Sequence, residues 1–142
     1  MTDMHWKNIM RSGILGVLIV VALGCGGGDS GPQRYQVSGK VTFNGKPVPA
    51  GSIYFETANG PSGGAQIIDG SYDTSTGKGV VGGPHDVVIQ GFDGAGSVPG
   101  ELGTPIFNPY RVSEDFPKAD TTKDFEVPAS AAEGLNTTRD PA

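Results

Sequence analysis

The chain has 142 residues, 24 of them glycine and 11 of them proline, and a net charge of −5 at pH 7. That length suits one small domain, and so many turn-forming residues argue against a mainly helical fold. The 10 basic residues are scattered along the chain. Because phosphate binding requires clustered Lys and Arg, we exclude nucleic acid as an expected partner. The single cysteine excludes an internal disulfide.

A short apolar segment near the N-terminus has the layout of an export signal. Lys7 and Arg11 precede ten mostly apolar residues, 14–23, and Gly24 and Cys25 follow them. A basic start, a short apolar run and a small residue at its end are the three parts of such a signal. The run is too short for a membrane-spanning helix, which requires roughly 20 apolar residues. We therefore predict a helical signal peptide, with Met10 as an alternative start.

The sequence Ala22-Leu23-Gly24-Cys25 resembles the lipobox of bacterial lipoproteins. The resemblance implies that residues 1–24 are removed by cleavage between Gly24 and Cys25, and that Cys25 then carries acyl chains. Each buried methylene contributes about 0.8 kcal/mol, so several chains hold a protein stably in membrane lipid. The expected location is the bacterial cell envelope, facing the periplasm or the outer surface. An ordinary secretory signal with an incidental cysteine is the alternative.

Composition divides the rest of the chain into three parts. We expect residues 25–34 to be the lipidated cysteine and a flexible linker rich in glycine, which reaches roughly 15–18 Å as a coil. Residues 35–128 are expected to form one domain. Residues 129–142 have no apolar periodicity, so we expect a disordered tail.

Within the expected domain, apolar residues alternate with polar ones, which is typical of half-buried strands. The pattern predicts three inward-facing sets, namely Val37, Val41 and Phe43; Ile53 and Phe55; and His85, Val87 and Ile89. Asn44-Gly45 and Asp69-Gly70 are hairpin turn signals. Short strands at close spacing with turns between them predict an all-β sandwich of about seven strands.

Residues 37–55 (VSGKVTFNGKPVPAGSIYF) resemble the opening of carboxypeptidase-regulatory-like, transthyretin-like domains, and Asp69-Gly70-Ser71-Tyr72 resembles a hairpin of that family. Together with the lipobox and the glycine run, the chain is similar to small lipoproteins abundant in planctomycete bacteria. The resemblance implies a transthyretin-like Greek-key β-sandwich. It implies a structural or binding role in the envelope, with no catalytic residue and no cofactor.

One alternative function is that of a hydrolase, because related transthyretin-like enzymes use histidines, an arginine and a C-terminal Tyr-Arg-Gly-Ser. Here Tyr110-Arg111-Val112-Ser113 is internal and lacks the glycine. The expected mature protein has only His85, which we interpret as a packed residue. Neighbouring strand residues point to opposite faces, so His85 and Asp86 are not expected to share a metal ion. No metal site is predicted.

A binding module for carbohydrate or protein is the other alternative, with residues 92–110 as its binding loop. Long irregular loops carry function more often than the strands they join. Phe92, Phe107 and Tyr110 are the candidate binding residues of this loop. Two further options concern an aromatic strip that would include Tyr35, Tyr54 and Tyr72, and calcium binding at acidic turns such as Asp69, Asp73 and Asp93.

Overall fold

The structure, a computed structural model, describes residues 31–135. The predicted signal peptide, the Cys25 acylation site and residues 136–142 lie outside the described residues. Within residues 31–135, no helix has the length and apolar character needed to cross a membrane.

The described residues form short strands joined by turns, with two brief 3₁₀ segments at Thr74–Thr76 and Ala129–Ala132. In chain order the strands are β1 (Val37–Phe43), β2 (Lys46–Pro47), β3 (Ala50–Glu56), β4 (Gly63–Ile68), β5 (Ser71–Asp73), β6 (Gly83–Phe92), β7 (Tyr110–Phe116), β8 (Thr121–Thr122) and β9 (Phe125–Val127).

The strands follow the order β2-β1-β5-β4-β3-β6-β7, and every neighbouring pair on this path is antiparallel. β8 and β9 pair in parallel with β1. The first half of β1 pairs with β5 and β8, and its second half pairs with β2 and β9. β1 is therefore the corner strand at which the sheet curls over its own inner face.

Two hairpin turns lie where the sequence predicted them. Asn44 and Gly45 have φ values of 50° and 76°, and Asp69 and Gly70 have values of 49° and 77°. Two consecutive residues with positive φ make the type I′ turn, whose twist matches that of the flanking strands. Asn and Asp tolerate this backbone region better than other non-glycine residues.

The curled sheet encloses one apolar core. Phe55 is fully buried at its centre, with its ring edge-on to Phe116 at 5.4 Å and tilted against Tyr72 at 6.1 Å. Tyr72 in turn lies 6.1 Å from Phe125 of β9, so the closing strands pack on the same cluster. The predicted inward residues are buried or packed against the core. The all-β class is confirmed, and the structure has nine strands, seven of them on the continuous path, where about seven were predicted.

β7 was not among the predicted strands. Its burial alternates along Tyr110–Phe116, but Glu114 occupies one of the partly buried positions. Glu114 forms an ion pair with Lys123 at 2.9 Å. A charged residue at an inward-facing position of an edge strand interrupts the apolar alternation from which strands are predicted.

Hydrogen bonds hold the described chain at both boundaries of the strands. The Arg34 guanidinium donates hydrogen bonds to the carbonyl oxygens of Ser62 and Gly79. At the other boundary, Ala129–Ala132 form the second 3₁₀ segment. The side-chain amide of Asn108 donates to the carbonyl oxygens of Ala131 and Glu133, which holds this segment against the domain.

The strands define two ends of the domain. β1 and β6 both start at the end where Tyr35 pairs with Val80, and both run away from it. β6 has 10 residues, which span about 30 Å at 3.3 Å per residue. Residues 93–109 follow β6 directly, so this loop lies at the end of the domain opposite Tyr35 and Val80.

Candidate binding cleft

The three candidate residues of the predicted binding loop do not form one exposed surface. Phe107 is only 2% exposed, and its ring lies 5.0 Å from that of Phe43. Phe92 ends β6 and is half-buried, and Tyr110 begins β7 with its side chain packed against the core. Phe107 is thus a core residue, and it is not available to a ligand as the sequence suggested.

The loop between β6 and β7 is fastened by its own hydrogen bonds. The amide of Asp93 donates to the Thr104 carbonyl, and that of Gly94 donates to the Leu102 carbonyl. A carboxylate oxygen of Asp93 accepts from the amides of Ala95 and Thr104. The large exposed apolar side chains in the loop are aliphatic. The loop therefore offers no aromatic platform.

The proposed aromatic strip is not formed either. Tyr72 is 3% exposed and Tyr35 is half-buried, whereas Tyr54 is 43% exposed. Parity explains the difference, because Tyr54 lies between Ile53 and Phe55, which point inward. Tyr54 is the member of the proposed strip that presents its ring to solvent.

Tyr54 lies at the edge of an open cleft of about 1030 Å³ on the outer face of the sheet. The cleft crosses β3, β4, β5 and the first half of β1, and it reaches β8. Glycines contribute to its lining at Gly39, Gly64 and Gly77. A second exposed apolar side chain, Ile68, is 64% exposed and also lines it.

A row of polar side chains crosses the cleft from strand to strand. Ser52 of β3 pairs with Gln66 of β4, and Ser38 of β1 pairs with Asp73 of β5 on one side and Thr122 of β8 on the other. The register of β4 and β5 continues to place Gln66 opposite Asp73. Among the described residues, the side chains of Ser38, Ser52, Gln66 and Thr122 make no hydrogen bond to protein.

The ring of Tyr54 lies over a glycine. Tyr54 pairs with Gly64 of β4, and its ring atom Cδ1 is 3.3 Å from the position that a Cβ on Gly64 would take. On its other side Tyr54 pairs with Val88 of β6, which is 8% exposed. A ring supported in this way by the sheet keeps one face open to the cleft.

The cleft is lined by one cation and two carboxylates, and the carboxylates accept hydrogen bonds from backbone amides. Lys40, Asp73 and Asp124 line it. The amide of Ser75 donates to Asp73 at 2.7 Å, and this hydrogen bond lowers the pKa of the Asp73 carboxyl. The amide of Lys40 donates to a carboxylate oxygen of Asp124 at 2.8 Å. Beneath the cleft, burial and then the charge of Asp124 raise the pKa of Tyr72 well above its ordinary value.

His85 is a packed residue, as the sequence predicted. It is 3% exposed, its ring is edge-on to Phe116 at 5.4 Å, and its Nδ1 lies 2.8 Å from the Gly83 carbonyl oxygen. Asp86 points to the opposite face of β6, where its carboxylate accepts a hydrogen bond from Ser113 at 2.8 Å. The two side chains therefore leave β6 on opposite faces, although both residues line a small open pocket together with Glu56 and Thr57.

The other candidate residues each form an ion pair, a turn or a cap with neighbouring groups. Arg111 of the Tyr-Arg-Val-Ser sequence lies on the exposed face of β7 and pairs with Glu56 at 2.9 Å. Asp69 forms a turn and Asp73 caps a 3₁₀ segment, whereas Asp93 fastens the loop after β6. In residues 31–135, no group of three or more His, Cys, Asp or Glu side chains is placed to hold a metal ion.

The cleft was not predicted from the sequence, although the sequence contains a signal of it. The outward positions of β3, β4 and β5 include Ser52, Tyr54, Gln66, Ile68 and Ser71. These five residues are uncharged, although Glu56 and Asp73 lie on the same face at the ends of β3 and β5. The signal is only recognisable once the register shows that these residues are neighbours across the strands.

Comparison of the chain with protein-family models, curated proteins and solved structures finds no match. The resemblance to lipoproteins and to transthyretin-like domains therefore rests on the sequence motifs quoted above. Gly24 and Cys25, the predicted cleavage and acylation residues, lie outside the described residues.

Proposed function

We propose that this protein is a lipid-anchored protein of the bacterial cell envelope that displays a non-catalytic β-domain. The observation that carries the proposal is the position of Cys25, which directly follows a basic start, a ten-residue apolar run and a glycine. A cysteine at this place can be acylated, and acyl chains then hold the protein to membrane lipid without a membrane-spanning helix.

The arrangement of the domain supports display on a tether. Residues 26–33 are rich in glycine, and Arg34 is the first residue whose side chain is fixed to the domain. The chain enters at the end where β1 and β6 begin. The loop that follows β6 lies at the other end, about 30 Å away along the strand.

A non-catalytic role is supported by the surroundings of His85. General acid–base chemistry near neutral pH is most often performed by histidine. Here the imidazole is buried beside Phe116, and Arg111 is engaged with acidic neighbours on the opposite face of the sheet. A transthyretin-like hydrolase would require these two groups to share a site. Measured hydrolysis of ureide substrates that is lost in His85→Ala would contradict the proposal.

The anchor is tested by mass spectrometry of the protein extracted from membranes of a bacterial host. We expect a mature chain that begins at Cys25 and carries a diacylglyceryl thioether and an amide-linked acyl chain. The Cys25→Ser variant should lose the lipid mass and leave the membrane fraction, while Ser30→Ala serves as the matched control and should remain acylated. An unmodified Cys25, or retention of residues 1–24 in the mature protein, would contradict the proposal.

A further inference from the structure

We infer that the cleft on the outer face of β1, β5, β4 and β3 binds a neutral oligosaccharide. This site is separate from the loop that the sequence suggested, and it does not depend on the lipid anchor. Its ligand class follows from three properties of the cleft, namely its hydrogen-bonding groups, its exposed ring and its charge.

The first property is the row of hydroxyl and amide groups. Ser52, Gln66, Ser38 and Thr122 present side chains with no protein partner among the described residues. Neighbouring strands are spaced about 4.8 Å apart. The row from β3 across β4, β5 and β1 to β8 therefore extends about 19 Å, four strand spacings. Such a row can donate to and accept from the hydroxyl groups of several consecutive sugar units.

The second property is the ring of Tyr54. It is 43% exposed and contacts Gly64, and the exposed side chain of Ile68 lies on the other side of the Ser52–Gln66 pair. A tyrosine side chain combines an apolar face with a polar tip. A sugar ring has the matching construction, since its C–H groups form an apolar face and its hydroxyl groups surround it. Tyrosine and serine also provide contacts at low cost in conformational entropy.

The third property is the balance of charge. Lys40 is the basic side chain that lines the cleft, and it lies with Asp73 and Asp124. An anionic ligand such as a nucleic acid or an acidic glycan would meet two carboxylates and one cation. An uncharged ligand meets no such repulsion, so the charge of the cleft disfavours an anionic ligand relative to a neutral one.

A peptide is a less suitable occupant of this face. Peptides that extend a sheet need unpaired backbone groups at an edge strand. β3, β4 and β5 are each paired on both sides, so the backbone under the cleft is already engaged. A stable protein interface would also need a larger apolar centre than Tyr54 and Ile68 provide.

The test uses the full chain extracted in detergent and titrated with cellohexaose, maltohexaose, mannohexaose and xylohexaose, with hexagalacturonate as the anionic comparison. We expect calorimetry to show saturable binding of at least one neutral hexasaccharide. Tyr54→Ala should weaken that binding at least tenfold, which is about 1.4 kcal/mol. Tyr54→Phe should retain most of it, because the stacking face remains. Gln66→Ala should weaken it several-fold.

Val98→Ala is the matched control, because Val98 is 61% exposed but lies in the loop after β6. It should bind as the unchanged protein does. The inference is overturned if none of the four neutral hexasaccharides binds, if hexagalacturonate binds more tightly, or if Tyr54→Ala binds as well as the unchanged protein. Because lipid attachment is read by mass and binding by calorimetry, failure of one proposal is distinguishable from failure of the other.

Discussion

The two faces of the same strands have opposite chemistry. In β3 the inward residues Ile53 and Phe55 are fully buried, whereas Ser52 and Tyr54 between them face the outer cleft. The inner face is apolar, with Val and Ile side chains packed around several aromatic rings, and the outer face over β1, β5, β4 and β3 is lined mainly by hydroxyl, amide and glycine residues. Successive strand residues point to opposite sides, so one strand can serve both faces.

In this domain, alternate positions of the same strand serve different roles: the inward positions serve stability, and the outward positions serve ligand recognition. Burial of apolar area stabilises the fold at roughly 25 cal/mol per Å², and the inner face provides nearly all of it. Outer residues contribute little to that burial and are free to serve a ligand. Substitutions on the inner face should therefore change the free energy of unfolding, and substitutions on the outer face should change ligand binding.

The largest expected effect is on the inner face. Phe55→Ala removes a fully buried ring that contacts Tyr72 and Phe116. We expect a loss of about 3–5 kcal/mol in the free energy of unfolding, measured by urea denaturation. The neighbouring change Tyr54→Ala should cost no more than about 1 kcal/mol, because the residue is on the solvent side of the strand. Equal losses for the two variants would contradict the separation of the faces.

A smaller effect is expected where the sheet turns its corner. Gly39 pairs with Tyr72, and a Cβ added to Gly39 would overlap the carbonyl oxygen of Lys123. Gly39→Ala should push the segment between β8 and β9 away from β1 and cost about 1–3 kcal/mol. Gly31→Ala is the control, because a Cβ at Gly31 meets no atom within 4 Å. Thermal unfolding of both variants measures the difference in their stability. An unfolding midpoint that is unchanged in Gly39→Ala would rule out the close approach of Gly39 to the Lys123 carbonyl oxygen.

The smallest effect concerns one hydroxyl group at the same corner. Tyr72 donates to the Lys123 carbonyl oxygen at 2.6 Å. Tyr72→Phe removes this hydrogen bond, and we expect a loss of about 1 kcal/mol in the free energy of unfolding at pH 8.

The same substitution has a predictable pH dependence. In the unfolded chain a tyrosine ionises near pH 10, whereas burial and Asp124 raise the pKa of Tyr72 in the folded domain. The stabilising contribution of neutral Tyr72 is therefore complete below about pH 10 and decreases as the pH rises above it. The advantage of the unchanged protein over Tyr72→Phe should shrink between pH 9 and pH 11. A constant difference over that range would show that Tyr72 ionises normally when folded.

Much of the fold was predictable because its signals are local. The turns at Asn44-Gly45 and Asp69-Gly70 follow from residues that accept positive φ, and the alternation in β1, β3 and β6 follows from burial of one face. β7 was missed because Glu114 interrupts its alternation, although Lys123, in the segment that follows β7, compensates that charge. An ion pair between two successive segments is not part of the period-two pattern of either one.

The candidate site was less predictable than the fold. Phe92, Phe107 and Tyr110 are close in sequence, which suggested one binding loop, but Phe107 fills the core beside Phe43. The cleft instead joins outward residues of five strands, from Ser38 to Thr122. Its members are adjacent only through strand pairing, and no spacing along the chain indicates that pairing.

The sequence by itself determined the all-β class, the hairpin turns and the inward face of the main strands, because each depends on a short run of residues; acylation of Cys25 stays a prediction of the same local kind. The tertiary structure decided the corner at β1, the packing of residues 129–135 and the cleft around Tyr54. These features depend on which strands become neighbours. That choice is made by closing one apolar core from residues far apart in the chain, and a local pattern does not encode it.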